Sequence, residues 1–413
     1  MTRLAVALDD AYRREWAFVL AATVRVAGSL DVAEECVQDA FVAAIGAWGE
    51  RGIPDNPGAW LTTAARRRAL DHLRRDKNLR TKLPLLIEPD ANEPDPADLV
   101  EDSVVTDDRL RLVFTCCHPA LSAETQAALT LRLVCGLSTQ RIARAFLISE
   151  ATMAARITRG KKKIEVARIP FAMPAESELP ERLDTVLTVI HLFFTAGHTA
   201  NSGDELVDAA VVGRAVDLAR MLHQLLPYES EVQGLLALLL LTDVRSKTRV
   251  DPSGSLVLLS DQDRSRWDAA QIDEGRSLVA LALMRRPPGR FALQAAIAAV
   301  HAEAPSYEET DWAELLGLYD VLLSVWPSPV VELNRAVVVA ELRGPEAALA
   351  IVDRIATDGQ LTRYAYLPAT RADLLRRMNR RSEAAESYER ALELVDNDVE
   401  RAFLADRRAE MRC

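Results

Sequence analysis

Residues 137–164 read LSTQRIARAFLISEATMAARITRGKKKI, and the periodicity of this stretch decides how the chain is read. Ser138 can cap a short helix with Ile142, Ala143 and Phe146 on its inner face. Ser149 can cap a second helix whose inner face holds Met153, Ile157 and Ile164. On the opposite face Thr152, Arg156, Arg159 and Lys163 follow at spacings of four, three and four residues. They make a polar, basic edge of a width that suits the major groove. The pattern is that of a helix-turn-helix with its second helix as the reader. A merely solvated amphipathic hairpin has the same period.

Toward the N-terminus, residues 12–45 show helical periodicity, clearest at Ala33, Cys36, Val37, Ala40, Phe41 and Ala44. In DVAEECVQDAFVAAI, residues 31–45, this leaves Glu34, Glu35, Gln38 and Asp39 as an acidic outer face. Such a face repels DNA, so it is either a protein-docking surface or an ordinary solvated one. The Gly/Pro-rich GERGIPDNPG breaks the pattern, and a second helix is expected from about Ala59 to Arg75. On it Arg67, Arg68, Asp71, Arg74 and Arg75 share one face, and Leu61, Ala65, Ala69 and Leu73 another. A basic helix beside a loop bearing Trp48 and Trp60 suits phosphate contact and support of an unstacked base, although a solvated helix carries the same charges. From Leu83 to Asp108 there is no Lys or Arg, but nine acids and four prolines. That composition reads as an extended acidic linker.

The whole chain has 413 residues, too many for one ordinary core, so two to four domains are expected. Hydrophobic residues make up 49% and aromatics only 5%, which favours packed helices over sheets. A net charge of −11 excludes a uniformly basic nucleic-acid binder but not one with basic patches. Five cysteines, with Cys116 and Cys117 adjacent, do not form a secreted disulfide framework, and Cys116, Cys117 and His118 are poorly spaced for one metal. Buried thiols are expected there, and His191, His198 and His223 show no metal-ligand spacing. The first residues lack a signal peptide, and the longest apolar run, Leu235 to Leu241, is too short to span a bilayer. A cytoplasmic protein without membrane partners is expected.

The segment IPFAMPAESELP, residues 169–180, reads as a second boundary. Beyond it come helices with short turns, broken by VDPSGSLVLL (250–259), a small hairpin or irregular loop. Asp261, Asp263, Arg264, Arg266 and Asp268 surround Trp267 and are expected to form an ion-pair network or an intramolecular interface. Ala336, Val339, Ala348, Val352 and Ile355 are matched 36 residues later by Ala372, Leu375, Ala384, Tyr388 and Ala391. Small residues at such positions let antiparallel helices pack closely, at a period near that of tetratricopeptide repeats. No GxSxG, phosphate loop, HExxH or Cys-His signature is present, so a binding scaffold is expected rather than an enzyme, with no cofactor and no metal.

The order of acidic helix, basic helix, acidic linker and helix-turn-helix resembles the sigma-70 family, specifically its extracytoplasmic-function group. AEECVQDAF looks like the region 2 helix that grips the clamp of the polymerase largest subunit. NPGAWLTTAARRRALDHLRR looks like the part that melts and captures the −10 element, and residues 137–164 look like region 4, which reads the −35 element. HLFFTAGHTA, DQDRSRWDAAQIDEG and LNRAVVVAE look like the subgroup with a tetratricopeptide-like C-terminal extension. The resemblance implies an all-α chain with a region 2 domain at 1–80, a linker at 81–106, a region 4 domain at 107–168 and a regulatory helical domain at 169–413. The partners it implies are core RNA polymerase, promoter DNA, and a protein or small-molecule regulator on the extension. It places Asp31, Glu34, Glu35, Gln38 and Asp39 on polymerase, and Trp48, Asn56, Trp60, Arg66, Arg67, Arg68, Asp71, Arg74 and Arg75 at the −10 element. Ser149, Thr152, Met153, Arg156, Arg159 and Lys163 fall at the −35 element. Where the family commonly has Lys-Ser this chain has Ala154–Ala155, and where a Glu is usual it has Arg141. A one-component regulator with a ligand-sensing helical array also fits residues 109–413, but leaves the N-terminal helices without a role.

Overall fold

The computed structural model describes residues 3–82, 108–146, 148–199 and 206–412. Among these the fold is all-α, and the only strand-like pairing is an isolated antiparallel bridge between Val250 and Leu256. The expected linker lies outside the described residues, except that Asp108 already opens a helix and positions 81 and 82 still belong to one. None of the described helices is long and apolar enough to cross a membrane. The chain divides into two compact units, 1–189 and 190–413.

In the first unit the continuous periodicity of residues 12–45 resolves into two helices, α1 (Arg3–Ala27) and α2 (Leu30–Arg51). The break falls at Gly28, whose φ of +66° is open to glycine at little cost. After a loop closed by Gly52, Pro57 opens α3 (Pro57–Lys82), longer than expected at its C-terminal end. Trp16, Val19 and Leu20 of α1 form the centre of this three-helix core with Ala33, Val37 and Ala40 of α2. α4 (Asp108–Cys116), α5 (Ala123–Leu129), a π-helical turn (Thr130–Val134), α6 (Thr139–Ala145) and α7 (Glu150–Val166) follow. Cys116 and Cys117 are buried in this second core, and burial pushes the Cys117 thiol up to about 11. Gly160 lets α7 lie against α5, since a Cβ there would sit 2.7 Å from Thr125 Cγ2.

The segment 169–180 does not end the first unit. Thr115 Oγ1 donates to Pro170 O at 3.3 Å, and Arg182 of α8 (Leu179–His198) donates to Phe114 O at 2.5 Å. These bonds hold the start of α8 on α4, which is why the unit continues to Val189.

The second unit is organised on α10 (Ser230–Asp243), whose residues Val232 to Leu241 are all buried. A helix apolar all round must be enclosed on every side. Here α9 (Ala209–Leu225), α11 (Ala269–Leu283) and α12 (Arg290–Glu303) enclose it. The approach to α12 is very close, because a Cβ on Gly234 would lie 2.5 Å from Ala292 N. Of the charged residues around Trp267, Asp263 accepts from Ser265 N, Asp268 caps α11 through Gln271 N, and Arg264 donates to the carbonyls of His301 and Ala304. These side chains therefore act as caps and carbonyl clamps rather than as the expected ion-pair network. Beyond α13 (Trp312–Val325) lie two helical hairpins, α14 (Pro329–Arg343) with α15 (Pro345–Thr357), and α16 (Tyr366–Arg377) with α17 (Arg381–Leu392), followed by α18 (Asp398–Arg412). All ten residues of the 36-residue repeat lie in one buried cluster, none more than 2% exposed.

Gly234→Val tests the central crossing. It should destabilise the chain by about 1–3 kcal/mol through overpacking, read as a lower denaturation midpoint in urea, whereas Gly213→Ala, where a Cβ meets nothing within 4 Å, should not.

Candidate nucleic-acid interface

Asn56 fixes the start of α3, with Oδ1 accepting from Ala59 N at 3.0 Å. Its side chain thus serves the fold before any ligand. Gly58 presses against α1, where a Cβ would lie 2.3 Å from Glu15 Oε2. With Leu61, Ala65 and Ala69 fully buried, the helix turns Arg67, Asp71, Arg74 and Arg75 to solvent. Arg66 and Arg68 are half-buried, and Arg68 lies 3.6 Å from Asp39. Arg74 and Asp71 are 3.7 Å apart, a surface pair of little energetic weight.

Trp48 does not occupy the loop. It lies in the last turns of α2 at 3% exposure, with its indole edge-on to Trp60 at 5.7 Å. The position is dictated by the helical register of Ala40, Ala44 and Trp48. Trp60 is half-exposed, so of the two indoles only Trp60 is open to a base, with Trp48 as its support.

On α7 the Ser149 hydroxyl accepts from Thr152 N at 3.1 Å, and on α6 Ser138 accepts from Arg141 N at 3.3 Å. Both caps stand where the sequence puts them. Ser149, Thr152, Arg159 and Lys163 are exposed, and Arg156 is half-buried. Met153, on the inner face of α7, is withdrawn from solvent altogether at 0% exposure and is a core residue rather than a contact.

The acidic face of α2 departs furthest from expectation. Glu35, Gln38 and Asp39 are exposed, but Glu34 is 5% exposed. Lys161 Nζ of α7 lies 2.5 Å from Glu34 Oε2 and 2.7 Å from Asp31 Oδ1, and Arg132 of the π-helical turn pairs with the other Glu34 oxygen. Gln38 Nε2 donates to the same oxygen at 3.2 Å. Beside this cluster, Trp16 Nε1 donates to Leu133 O at 2.9 Å, and Tyr12 Oη to Gly136 O at 2.9 Å. Of the face expected to meet polymerase or solvent, Glu34 is therefore covered by the helix-turn-helix bundle, while Asp31, Glu35, Gln38 and Asp39 stay exposed. A carboxylate removed from water must be neutralised and fully hydrogen-bonded, and two cations and an amide do both here.

Arg132 and Lys161 did not stand out in the sequence. Lys161 sits in a basic run that reads as solvated, yet its distance from Ile157 and Ile164, four and three residues, places it on the buried face of α7. That spacing was the available signal.

Residues 11–79 match the family described as sigma-70 region 2, and residues 111–164 match sigma-70, region 4. Residues 182–283 match a family of unknown function, DUF6596. An uncharacterized protein of Rhizobium meliloti is 43% identical over 388 residues, spanning 93% of this chain and 91% of its own. The "Probable ECF RNA polymerase sigma factor SigI" of Mycobacterium tuberculosis is 27% identical over 226 residues, 51% of this chain and 76% of that one. The region 2 match accounts for α1 to α3, which a one-component regulator leaves unexplained.

Glu34→Ala leaves Arg132 without its carboxylate and Lys161 with only the exposed Asp31, and should cost up to about 3–5 kcal/mol. Adding Lys161→Met should recover part of that loss, so a double-mutant cycle by urea unfolding of the full chain should show clear coupling. Strictly additive losses would show that the two side chains do not share one charge-neutralising site.

Proposed function

Because this chain belongs to the extracytoplasmic-function group of the sigma-70 family, we propose that its exposed basic edges divide the promoter between them. The group consists of RNA polymerase sigma factors, which bind core polymerase and carry it to promoter DNA. Arg67, Arg74 and Arg75 hold the −10 phosphates, and Trp60, backed by Trp48, supports a base drawn out of the stack at a cost of a few kcal/mol. Thr152, Arg156, Arg159 and Lys163 enter the major groove at the −35 element, with Ser149 at the helix start. The observation that carries this reading is the burial pattern of α7: Met153, Ile157 and Ile164 are enclosed while the polar, basic edge faces outward.

Glu35, Gln38 and Asp39 give polymerase its first hold on α2. Asp31 and Glu34 are engaged by Lys161, so docking along the whole helix parts α2 from α7. The protein works in the cytoplasm with the polymerase. The C-terminal helical unit modulates this activity and is the place for a protein or small-molecule regulator. Its buried helical repeat supports a scaffold role.

Replacing Arg67 and Arg74 together with Ala should weaken open-complex formation in run-off transcription and reduce its salt slope by about two counterions. Arg156→Ala should weaken protection of the −35 element by about 1–3 kcal/mol. An unchanged salt slope and an unchanged footprint would remove the two assignments in turn.

A cut near Ile169 would strip Arg182 from Phe114 O. The informative truncation ends at Thr199, past α8. Its run-off output at matched protein concentration should differ clearly from that of the full chain. Equal output would dismiss modulation by the second unit.

A further inference from the structure

The second unit encloses a cavity of about 320 Å³ between α10, α12, α13 and α14. About half of its wall is apolar, with Leu238, Leu241, Ile297, Leu322 and Val331. Into this wall is set one guanidinium, that of Arg245, and the lining contains no Asp or Glu. Among the described residues Arg245 has no ion pair. Burial, with the Arg249 guanidinium nearby, lowers its pKa to about 10, and the Tyr319 phenol beside it is itself kept neutral by burial. Arg249 cannot neutralise it, and its own guanidinium is spent on the His198 carbonyl and ring. His301, on the same wall, is held neutral by burial, with a pKa of about 4, and its Nδ1 is enclosed without a partner.

The adjoining hollow makes an instructive contrast. It shares Leu259, His301, Tyr319 and Asn334 with the cavity, and its arginines are balanced: Arg376 lies 2.6 Å from Asp373, and Arg377 lies 2.7 Å from Glu341. The fold thus supplies carboxylates to the arginines of the adjoining hollow and withholds one from Arg245. A half-enclosed cation is costly unless something compensates it.

We propose that this cavity is a binding site for a small monocarboxylate with an apolar body. One uncompensated guanidinium calls for one negative charge, and its planar fork matches a carboxylate in two-point contact. The Gln294 and Asn334 amides and the Tyr319 hydroxyl line the same space and can complete the polar end. The aliphatic wall and the Trp267 ring take the rest of the molecule, and the volume lies at the small end of known ligand pockets. A phosphate, with more charge and no apolar body, matches neither feature. The site goes beyond the promoter reading and does not depend on it.

Titration calorimetry on the full chain tests this with benzoate, phenylacetate and hexanoate, their neutral amides, and inorganic phosphate. At least one carboxylate should saturate a single site, with its amide at least tenfold weaker. Arg245→Gln should weaken that carboxylate about tenfold to a hundredfold while melting no lower than the parent, because it removes an uncompensated charge. Asn334→Leu, on α14, gives a second variant expected to weaken binding without touching the cation. Failure of all three carboxylates, equal binding of acid and amide, phosphate binding as tight as carboxylate, or undiminished binding by Arg245→Gln would each overturn the proposal. Transcription plays no part in the readout, so the site and the promoter assignments stand or fall separately.

Discussion

At several helix crossings in this chain there is no room for a Cβ. Gly160 against Thr125, Gly234 against Ala292 and Gly275 against Leu241 would each bring one below 3.0 Å. The composition makes this necessary. With nearly half the residues hydrophobic and only 5% aromatic, the core is built from alanine and branched aliphatic chains of modest volume. Native packing density is then reached by bringing the helix axes together rather than by filling a wide gap with rings. Both units obey the rule. The repeat residues Ala336, Ala348, Ala372, Ala384 and Ala391 extend it through the C-terminal hairpins.

Close packing also sorts the surface. Once Leu61, Ala65 and Ala69 are pressed into the first core, α3 has no freedom in which side it shows to solvent, and its arginines follow. The same holds for α7, where Gly160 and its buried neighbours settle that Arg159 and Lys163 look outward and Lys161 inward. A charge-bearing edge is thereby presented without any residue devoted to orienting it.

Most of this was legible along the sequence because it is local. Caps at Ser138 and Ser149, the inner faces of α3 and α7, and the 36-residue repeat depend on spacings within a turn or a hairpin. What sequence reading missed is nonlocal or depends on a single backbone angle. Glu34 is buried by residues 98 and 127 positions further on, and a periodicity analysis sees only its own helix. Trp48 looked like a loop residue because Gly49 and Gly52 follow it, yet the helix runs on to Arg51. Gly28 interrupts a periodic run that is apolar on both sides of it. Arg245 carries no motif, and its interest lies in the carboxylate that folding does not bring to it.

The π-helical turn at Thr130–Val134 holds one residue more than an α-helical turn would. Within it and two residues beyond it lie the carbonyls of Leu133 and Gly136, which receive Trp16 and Tyr12. Loss of a single residue there would restore regular winding and swing everything after it by about 100°. Both acceptors would leave the aromatic donors, and Arg132 would leave Glu34. Deletions of one residue near a helix end are often absorbed by the following loop. A one-residue deletion at 130–134 would thus undo both backbone contacts together, whereas a side-chain substitution in the turn would leave the two carbonyls in place.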